Sequence, residues 1–261
     1  MRLTILISIL NILLFADGGE DIFKKRCSSC HQTYIPQPEL LKSYFDLNNS
    51  DLNLTAPTLV ELSYWLRDRV GDRKGDRESQ IMEIEEFLYN YLKSPDINSS
   101  IIPKGILRHF KQMPKVDIGE DEVEALAIYL FDIGRKIVKE HGAKIYPTYQ
   151  EALEVAKREN KIVMVEGFIT YCRGCIKMDR EVFIDDRVKK ALEKNFVVTK
   201  INVLREKLPL GLKSLGTPSF YFITSDGKRV IDQIVGTGTV DEFLELLEDI
   251  RDSLNRGEFY K

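Results

Sequence analysis

The stretch KIVMVEGFITYCRGCIKM, residues 161–178, carries the strongest fold signal in this 261-residue chain. It opens with the apolar run Ile162 to Val165, rich in branched side chains, which is typical of a strand buried on both faces. A helical pattern follows the pair Cys172 and Cys175. Two thiols at this spacing can close a small disulfide, and the amino end of the helix lowers the pKa of the first thiol. We therefore predict that Cys172 attacks a partner disulfide and that Cys175 resolves the mixed disulfide.

Two other interpretations of this pair stay open, namely an inert local disulfide and one half of a metal site. The surrounding pattern, from about Lys144 onward, alternates between helices and strands. A capping-box pattern at Thr148 to Glu151 predicts a helix through Lys157. The further predicted elements are a strand over Phe196 to Ile201, a helix ending at Leu215, a strand over Ser219 to Ile223, a turn over Ser225 to Lys228, a strand up to Val235, and a helix from Val240 to Ile250.

A Cys-x-x-Cys pair between a buried strand and a helix is the thioredoxin-like redox arrangement. The segment from Tyr171 to Lys177 resembles the Trp-Cys-x-x-Cys-Lys motif in the C-terminal domain of the transmembrane thiol:disulfide reductase. This resemblance implies a cis-proline at Pro218 beside the disulfide, where a bound peptide strand can pair. It also implies a buried carboxylate at Glu166 that relays the proton of Cys175. The alternative for Pro218 is a proline that merely starts a strand. The alternative for Glu166 is a solvated strand end.

A second cysteine pair lies near the start of the chain, in the sequence Cys27-Ser28-Ser29-Cys30-His31. C-x-x-C-H is the c-type haem attachment sequence. Two thiols three residues apart on one helical turn reach the two vinyl groups of one haem, and the imidazole of the next residue points at the iron. A zinc site would need a second ligand pair, yet the other cysteines lie about 140 residues away. The sequence thus predicts one covalently bound haem c, with a surface dithiol as the alternative.

The region around this motif, to about Lys139, has helical periodicity and resembles a small class I cytochrome c. Ala56 to Leu59 is similar to the family's Gly-Pro-x-Leu segment, and Met113-Pro114 matches its Met-Pro signature. The resemblance implies that His31 and Met113 are the axial ligands of the haem iron. A haem with this ligand pair has no open coordination position, so it passes electrons instead of binding gas.

Four other residues of this region bear on the haem assignment. Met82 is the rival thioether ligand, but its place within a predicted helix favours a packing role. His109 is a rival ligand that we interpret as a surface residue. Tyr64 and Trp65 either line the haem or belong to the ordinary core.

The first 16 residues have the pattern of an export signal. Met1-Arg2 gives a positive start, Leu3 to Phe15 is mostly apolar, and Ala16 precedes a polar stretch. A run of about 13 residues is too short to span a bilayer. The alternatives to an export signal are an uncleaved anchor and a buried strand. We predict a periplasmic or otherwise exported protein without an integral membrane span in its mature chain. The formal charge of −3 gives no indication of a nucleic-acid partner.

The complete prediction is a signal peptide over residues 1–16, an all-α cytochrome c domain over 17–143 and an α/β thioredoxin-like domain over 144–261. Its predicted function combines haem electron transfer with thiol:disulfide exchange. The expected partners are proteins with thiols or disulfides, or other cytochromes. One alternative is an electron carrier whose second domain serves only for docking. Another is a disulfide-reducing factor in cytochrome assembly or sulfur metabolism.

Overall fold

The computed structural model describes residues 18–260, so the predicted export signal lies outside the described residues. The chain divides into two compact units, the first ending at Ile137 and the second beginning at Val138. Within residues 18–260, no helix is both long enough and apolar enough to cross a membrane.

The regular elements of the first unit are helical throughout its described part, as the sequence predicted. They are α1 (residues 18–26), α2 (Gln37–Phe45), α3 (Leu59–Arg69), α4 (Arg77–Lys93), the 3-10 turn Ile97–Ser99, α5 (Lys104–Leu107) and α6 (Glu120–His141), whose last turn enters the second unit. Helix α3 begins with a capping box in which Thr58 and Glu61 satisfy each other's backbone N–H groups. Asp76 caps α4 by accepting a hydrogen bond from the Ser79 N–H.

A cluster of buried apolar side chains, which we name the Tyr44 cluster, fills part of the first unit. Its members are Leu40, Tyr44, Leu54, Ile102, Ile106 and Phe110. The buried stripe of α4 contains Ile81, Ile84, Leu88 and Leu92. Met82 lies outside this stripe and is 68% exposed, so the packing role predicted for it is wrong. Its position in the helix turns the side chain away from the apolar stripe.

The second unit is built on a five-stranded sheet. Its strands are β1 (Ile145–Tyr146), β2 (Ile162–Phe168), β3 (Phe196–Asn202), β4 (Ser219–Ile223) and β5 (Val230–Val235), in the spatial order β1-β3-β2-β4-β5. β1 and β2 run parallel to β3, whereas β4 is antiparallel to both β2 and β5. The helices are α7 (Tyr149–Glu159), α8 (Arg173–Lys177), α9 (Asp186–Asn195) and α10 (Val240–Arg256), with a π-helical turn over Met178–Val182.

Two apolar clusters cover the two faces of this sheet. On one face Met164 and Phe220 pack with Val188 of α9 and Phe243 of α10. On the other face Val163, Val165 and Tyr221 pack with Ala152 and Ala156 of α7. Alternate residues of β2 therefore enter opposite clusters, which confirms the predicted strand buried on both faces.

The predicted helix ending at Leu215 is wrong. Between β3 and β4 the regular structure is limited to the 3-10 turn Pro209–Gly211. Pro209 has no N–H for a helical hydrogen bond. Leu210 and Gly211 have φ angles of 55° and 72°, which a right-handed helix does not contain. The segment therefore leaves Leu204, Leu210 and Leu215 exposed.

Candidate redox sites

The cysteine pair of the second unit lies where β2 gives way to α8. Cys172 is the N-cap of α8, and its sulfur accepts a hydrogen bond from the Cys175 N–H at 3.0 Å. The two residues form a disulfide with their Cα atoms 5.3 Å apart. Cys172 and Cys175 are 7% and 4% exposed. The N-cap position places the Cys172 sulfur beside the partial positive charge of the helix amino end, which favours its thiolate after reduction.

Pro218 lies beside this disulfide loop although it is distant in sequence. The Thr217–Pro218 peptide bond is cis. A Cβ atom built on Gly174 would lie 2.8 Å from Pro218 Cδ and 2.9 Å from Thr237 Cγ2. Gly174 is therefore the residue that lets the loop between the cysteines approach Pro218 so closely.

Replacing Gly174 with alanine should destabilise the second unit, because the added methyl overlaps the Pro218 ring. Overpacking of this kind costs about 1–3 kcal/mol, which exceeds the gain of up to about 1 kcal/mol for alanine over glycine in a helix. Urea unfolding of the oxidised chain measures the change. Gly238→Ala is the matched control, because its Cβ would meet only Glu242 at ordinary contact distances. Equal stability of the two variants would show that the close approach is unimportant.

Glu166 is fully buried on β2, so the alternative of a solvated strand end is wrong. Its Oε2 atom lies 2.8 Å from Lys200 Nζ, and Lys200 also pairs with Asp179 on the π-helical turn. Burial raises the pKa of Glu166, although the charge of Lys200 opposes this effect. The proton-relay role of Glu166 stays a prediction.

Lys200 and Asp179 are charged neighbours of Glu166 that were not predicted from the sequence. Glu166 and Lys200 occupy the same level of the adjacent parallel strands β2 and β3. Aligning the two predicted strands would therefore have indicated that pair. Asp179 had no such signal, because its position depends on the π-helical turn that follows α8.

The cysteine pair of the first unit lies in a helical turn directly after α1. The N–H groups of Cys30 and His31 both donate to the Cys27 carbonyl, at 3.1 and 3.0 Å. His31 is 8% exposed, and its Nδ1 atom lies 2.7 Å from the Pro57 carbonyl oxygen. A carbonyl oxygen can only accept, so Nδ1 carries the proton and Nε2 keeps its lone pair. Burial lowers the pKa of His31, which favours this neutral form.

Cys27 and Cys30 are free thiols in different environments, since Cys27 is half-buried and Cys30 is exposed. Burial raises the pKa of the Cys27 thiol to about 11. In the chain without haem, we expect iodoacetamide to label Cys30 before Cys27 at pH 8, where roughly one Cys27 in a thousand is ionised. The Cys27 rate should rise with pH up to about 11.

Mass mapping of the labelled peptides measures both rates. The control is the chain unfolded in urea, in which the two cysteines should react alike. Equal rates in the folded chain would contradict the described difference in burial.

Three other residues considered for the haem site are each partly buried in the first unit, namely Trp65, His109 and Met113. Met113 is partly buried in the segment between α5 and α6, and its role as axial ligand stays a prediction. His109 is partly buried and stacks on Tyr44, with ring centroids 5.4 Å apart, so it is not the plain surface residue we expected. Trp65 packs against the Tyr44 cluster. Its buried Nε1 atom has no hydrogen-bond partner within the described part of the chain.

Several solved structures of redox proteins are similar to parts of this chain. A solved structure of a thioredoxin from Thermus thermophilus has 30% sequence identity, covers 42% of this chain and 87% of its own, and gives a TM-score of 0.36. The DsbH oxidoreductase has 16% sequence identity, covers 42% of this chain and 87% of its own, and gives a TM-score of 0.32. The C-terminal domain of DsbD from Neisseria meningitidis, in its oxidised form, has 19% identity, with coverages of 41% and 98% and a TM-score of 0.31.

No curated protein sequence matches the chain. The family model described as a thioredoxin-like domain matches residues 149–251. These residues contain β2 to β5, the disulfide of Cys172 and Cys175, and Pro218. The second unit of this chain is therefore a thioredoxin-like redox domain with a disulfide-forming cysteine pair.

Proposed function

We propose that this chain is an exported, periplasmic redox protein that combines a c-type haem electron-transfer centre with a thiol:disulfide oxidoreductase site. The observation that carries the haem half is the 2.7 Å contact between His31 Nδ1 and the Pro57 carbonyl. An imidazole held in this way has one fixed tautomer and one fixed ring orientation, as metal-ligating histidines do. Pro57 belongs to the segment that resembles the Gly-Pro-x-Leu sequence of class I cytochromes c.

The residues of the first unit fit a covalently attached haem c. Cys27 and Cys30 would hold it through thioether bonds, because both thiols are free and share one helical turn. His31 and Met113 would bind its iron, within a cytochrome c fold. Trp65 Nε1 is a buried donor that lacks an acceptor among residues 18–260, and Arg69 lies 4.7 Å from the centroid of its ring. This donor and this cation suit the carboxylate of a haem propionate. Such a haem supplies one-electron transfer.

The chemistry of the second unit is exchange between a dithiol and a disulfide. The Cys172 thiolate attacks one sulfur of a partner disulfide, and the partner's other sulfur leaves as a thiolate. The Cys175 thiol then loses its proton, for which Glu166 is the proposed acceptor, and attacks Cys172. The Cys172–Cys175 disulfide forms and the partner leaves as a dithiol, so two electrons and two protons have moved to the partner. The reverse sequence oxidises a partner dithiol.

The two centres handle different numbers of electrons. A dithiol gives up two electrons, whereas one haem accepts one. Because of this mismatch there are two alternative functions. One is an electron carrier with an idle disulfide, and the other is a disulfide-reducing factor whose haem acts as a sensor. The partners are proteins with thiols or disulfides, or other cytochromes.

The experiment that tests the proposal measures both activities on one preparation of the full chain. The chain is made in a host that matures c-type cytochromes. Its haem spectrum is recorded, and the reduction of insulin disulfides is followed with dithiothreitol as the electron donor. We expect Cys172→Ala to abolish insulin reduction and leave the haem spectrum unchanged. His31→Ala should remove the low-spin haem spectrum and leave insulin reduction unchanged. A wild-type chain that lacks either activity would contradict the proposal.

A further inference from the structure

The hydrogen bonds around His31 continue through one peptide group to a buried carboxylate. We propose that Glu61 is a positioning residue for His31: through the Pro57–Thr58 peptide, its negative charge strengthens the hydrogen bond from the His31 imidazole and so favours the oxidised iron. This inference rests on the proposed haem site and adds to it a residue that neither the attachment motif nor the resemblance identifies.

Glu61 is nearly inaccessible to solvent, with 1% of its surface exposed. Its Oε2 atom accepts hydrogen bonds from the Thr58 N–H at 2.9 Å, the Thr58 hydroxyl at 3.2 Å and the Tyr44 hydroxyl at 3.1 Å. Three donors directed at one oxygen favour the ionised carboxylate over the neutral acid. The fold thus places a carboxyl group that accepts three hydrogen bonds in the interior of the first unit.

The connection to His31 follows from covalent geometry. The Pro57 carbonyl and the Thr58 N–H belong to the same planar peptide group, which is polarised as one resonance unit. His31 Nδ1 donates to the carbonyl end at 2.7 Å, and the N–H end donates to Glu61 at 2.9 Å. A carboxylate that accepts a hydrogen bond from the N–H makes the carbonyl oxygen a better acceptor, because hydrogen bonds in a chain strengthen one another. The imidazole then becomes a stronger electron donor at Nε2.

The capping box holds this arrangement in place. Thr58 accepts a hydrogen bond from the Glu61 N–H at 3.3 Å while the Glu61 carboxylate accepts from the Thr58 N–H. The first turn of α3 therefore fixes the direction of the Pro57 carbonyl. Tyr44 adds a third contact from α2 and is itself fully buried, and both burial and the neighbouring Glu61 raise the pKa of its hydroxyl.

The test compares midpoint potentials in the full chain with attached haem. Glu61→Gln keeps the size of the side chain and an acceptor oxygen for the capping box, but removes the charge. Because the lost charge favoured the oxidised state, we expect the equilibrium constant for reduction to rise at least tenfold, which is about 59 mV for one electron. Glu39→Gln, at an exposed glutamate of α2 in the same unit, is the matched control and should leave the potential unchanged.

A second measurement does not need the haem. Proton and nitrogen NMR of the full chain without haem reports the Nδ1–H resonance of His31. Glu61→Gln should weaken the hydrogen bond to Pro57 and shift this resonance to lower frequency. Tyr44→Phe removes one competing donor and leaves the capping box intact, so it should shift the resonance and the potential in the opposite direction.

The outcomes separate this inference from the proposed function. A wild-type chain that takes up no haem would refute the haem site, while the NMR comparison would still test the link from Glu61 to His31. A wild-type chain that carries haem, with Glu61→Gln and Tyr44→Phe behaving like Glu39→Gln in both measurements, would overturn the inference and leave the haem site standing.

Discussion

Replacing Cys175 with alanine should make the chain accumulate mixed disulfides through Cys172. The N-cap sulfur of Cys172 keeps its position at the amino end of α8, so the attacking step survives while the resolving step is lost. We expect these complexes to persist at least tenfold longer than those of the wild-type chain. These complexes are measured by non-reducing electrophoresis and peptide mass mapping after mixing with disulfide-bonded insulin.

Two further variants make this test specific. Cys172→Ala should accumulate no such complexes, because Cys175 lies deeper and resolves instead of attacking. Pro218→Thr should lengthen the life of complexes in a chain with both cysteines, because Pro218 borders the disulfide loop at Gly174. Equal trapping by Cys172→Ala and Cys175→Ala would return the pair to the inert-disulfide interpretation.

Replacing Met113 with alanine should remove the sulfur ligand of the proposed haem. The weak near-infrared band from sulfur to ferric iron should disappear, and the midpoint potential should fall, because a thioether ligand raises the potential of a haem with an axial histidine. Near-infrared absorption and a redox titration of the full chain with attached haem measure the two effects.

Met82→Ala is the matched control for this prediction. Met82 is 68% exposed on α4, so its replacement should change neither the band nor the potential. If Met82→Ala abolishes the band and Met113→Ala does not, the ligand assignment is wrong.

Apolar patterning predicted the second unit well wherever burial alone decides the structure. The strand β4 has the predicted limits Ser219 and Ile223, because each of its residues is buried. The run at Ile162 is likewise the start of β2. The helix predicted before Leu215 failed because its leucines are spaced as in a helix, whereas Pro209 and the positive φ angles at Leu210 and Gly211 decide the backbone there.

Residues that are adjacent in sequence were predicted from their spacing, whereas Glu166, Pro218 and Met113 were predicted only through the family resemblances. Cys27, Cys30 and His31 form one motif, so spacing alone indicates their chemistry. The partners of Glu166 and of His31 come from other elements: Lys200 lies on the adjacent strand β3, and the Pro57–Thr58 peptide directly precedes α3. Glu61 was not predicted as a site residue from the sequence, and its connection to His31 became visible once the Pro57 carbonyl was located.

The mass of the chain made in a host that matures c-type cytochromes shows whether a haem is covalently attached. We expect the mass of the polypeptide plus one haem, a haem that acid-acetone does not extract, and the unmodified polypeptide mass when both Cys27 and Cys30 are replaced by alanine. The Cys172→Ala, Cys175→Ala double variant should carry the haem as the wild-type chain does. An unmodified wild-type mass under these conditions would refute the proposed haem site.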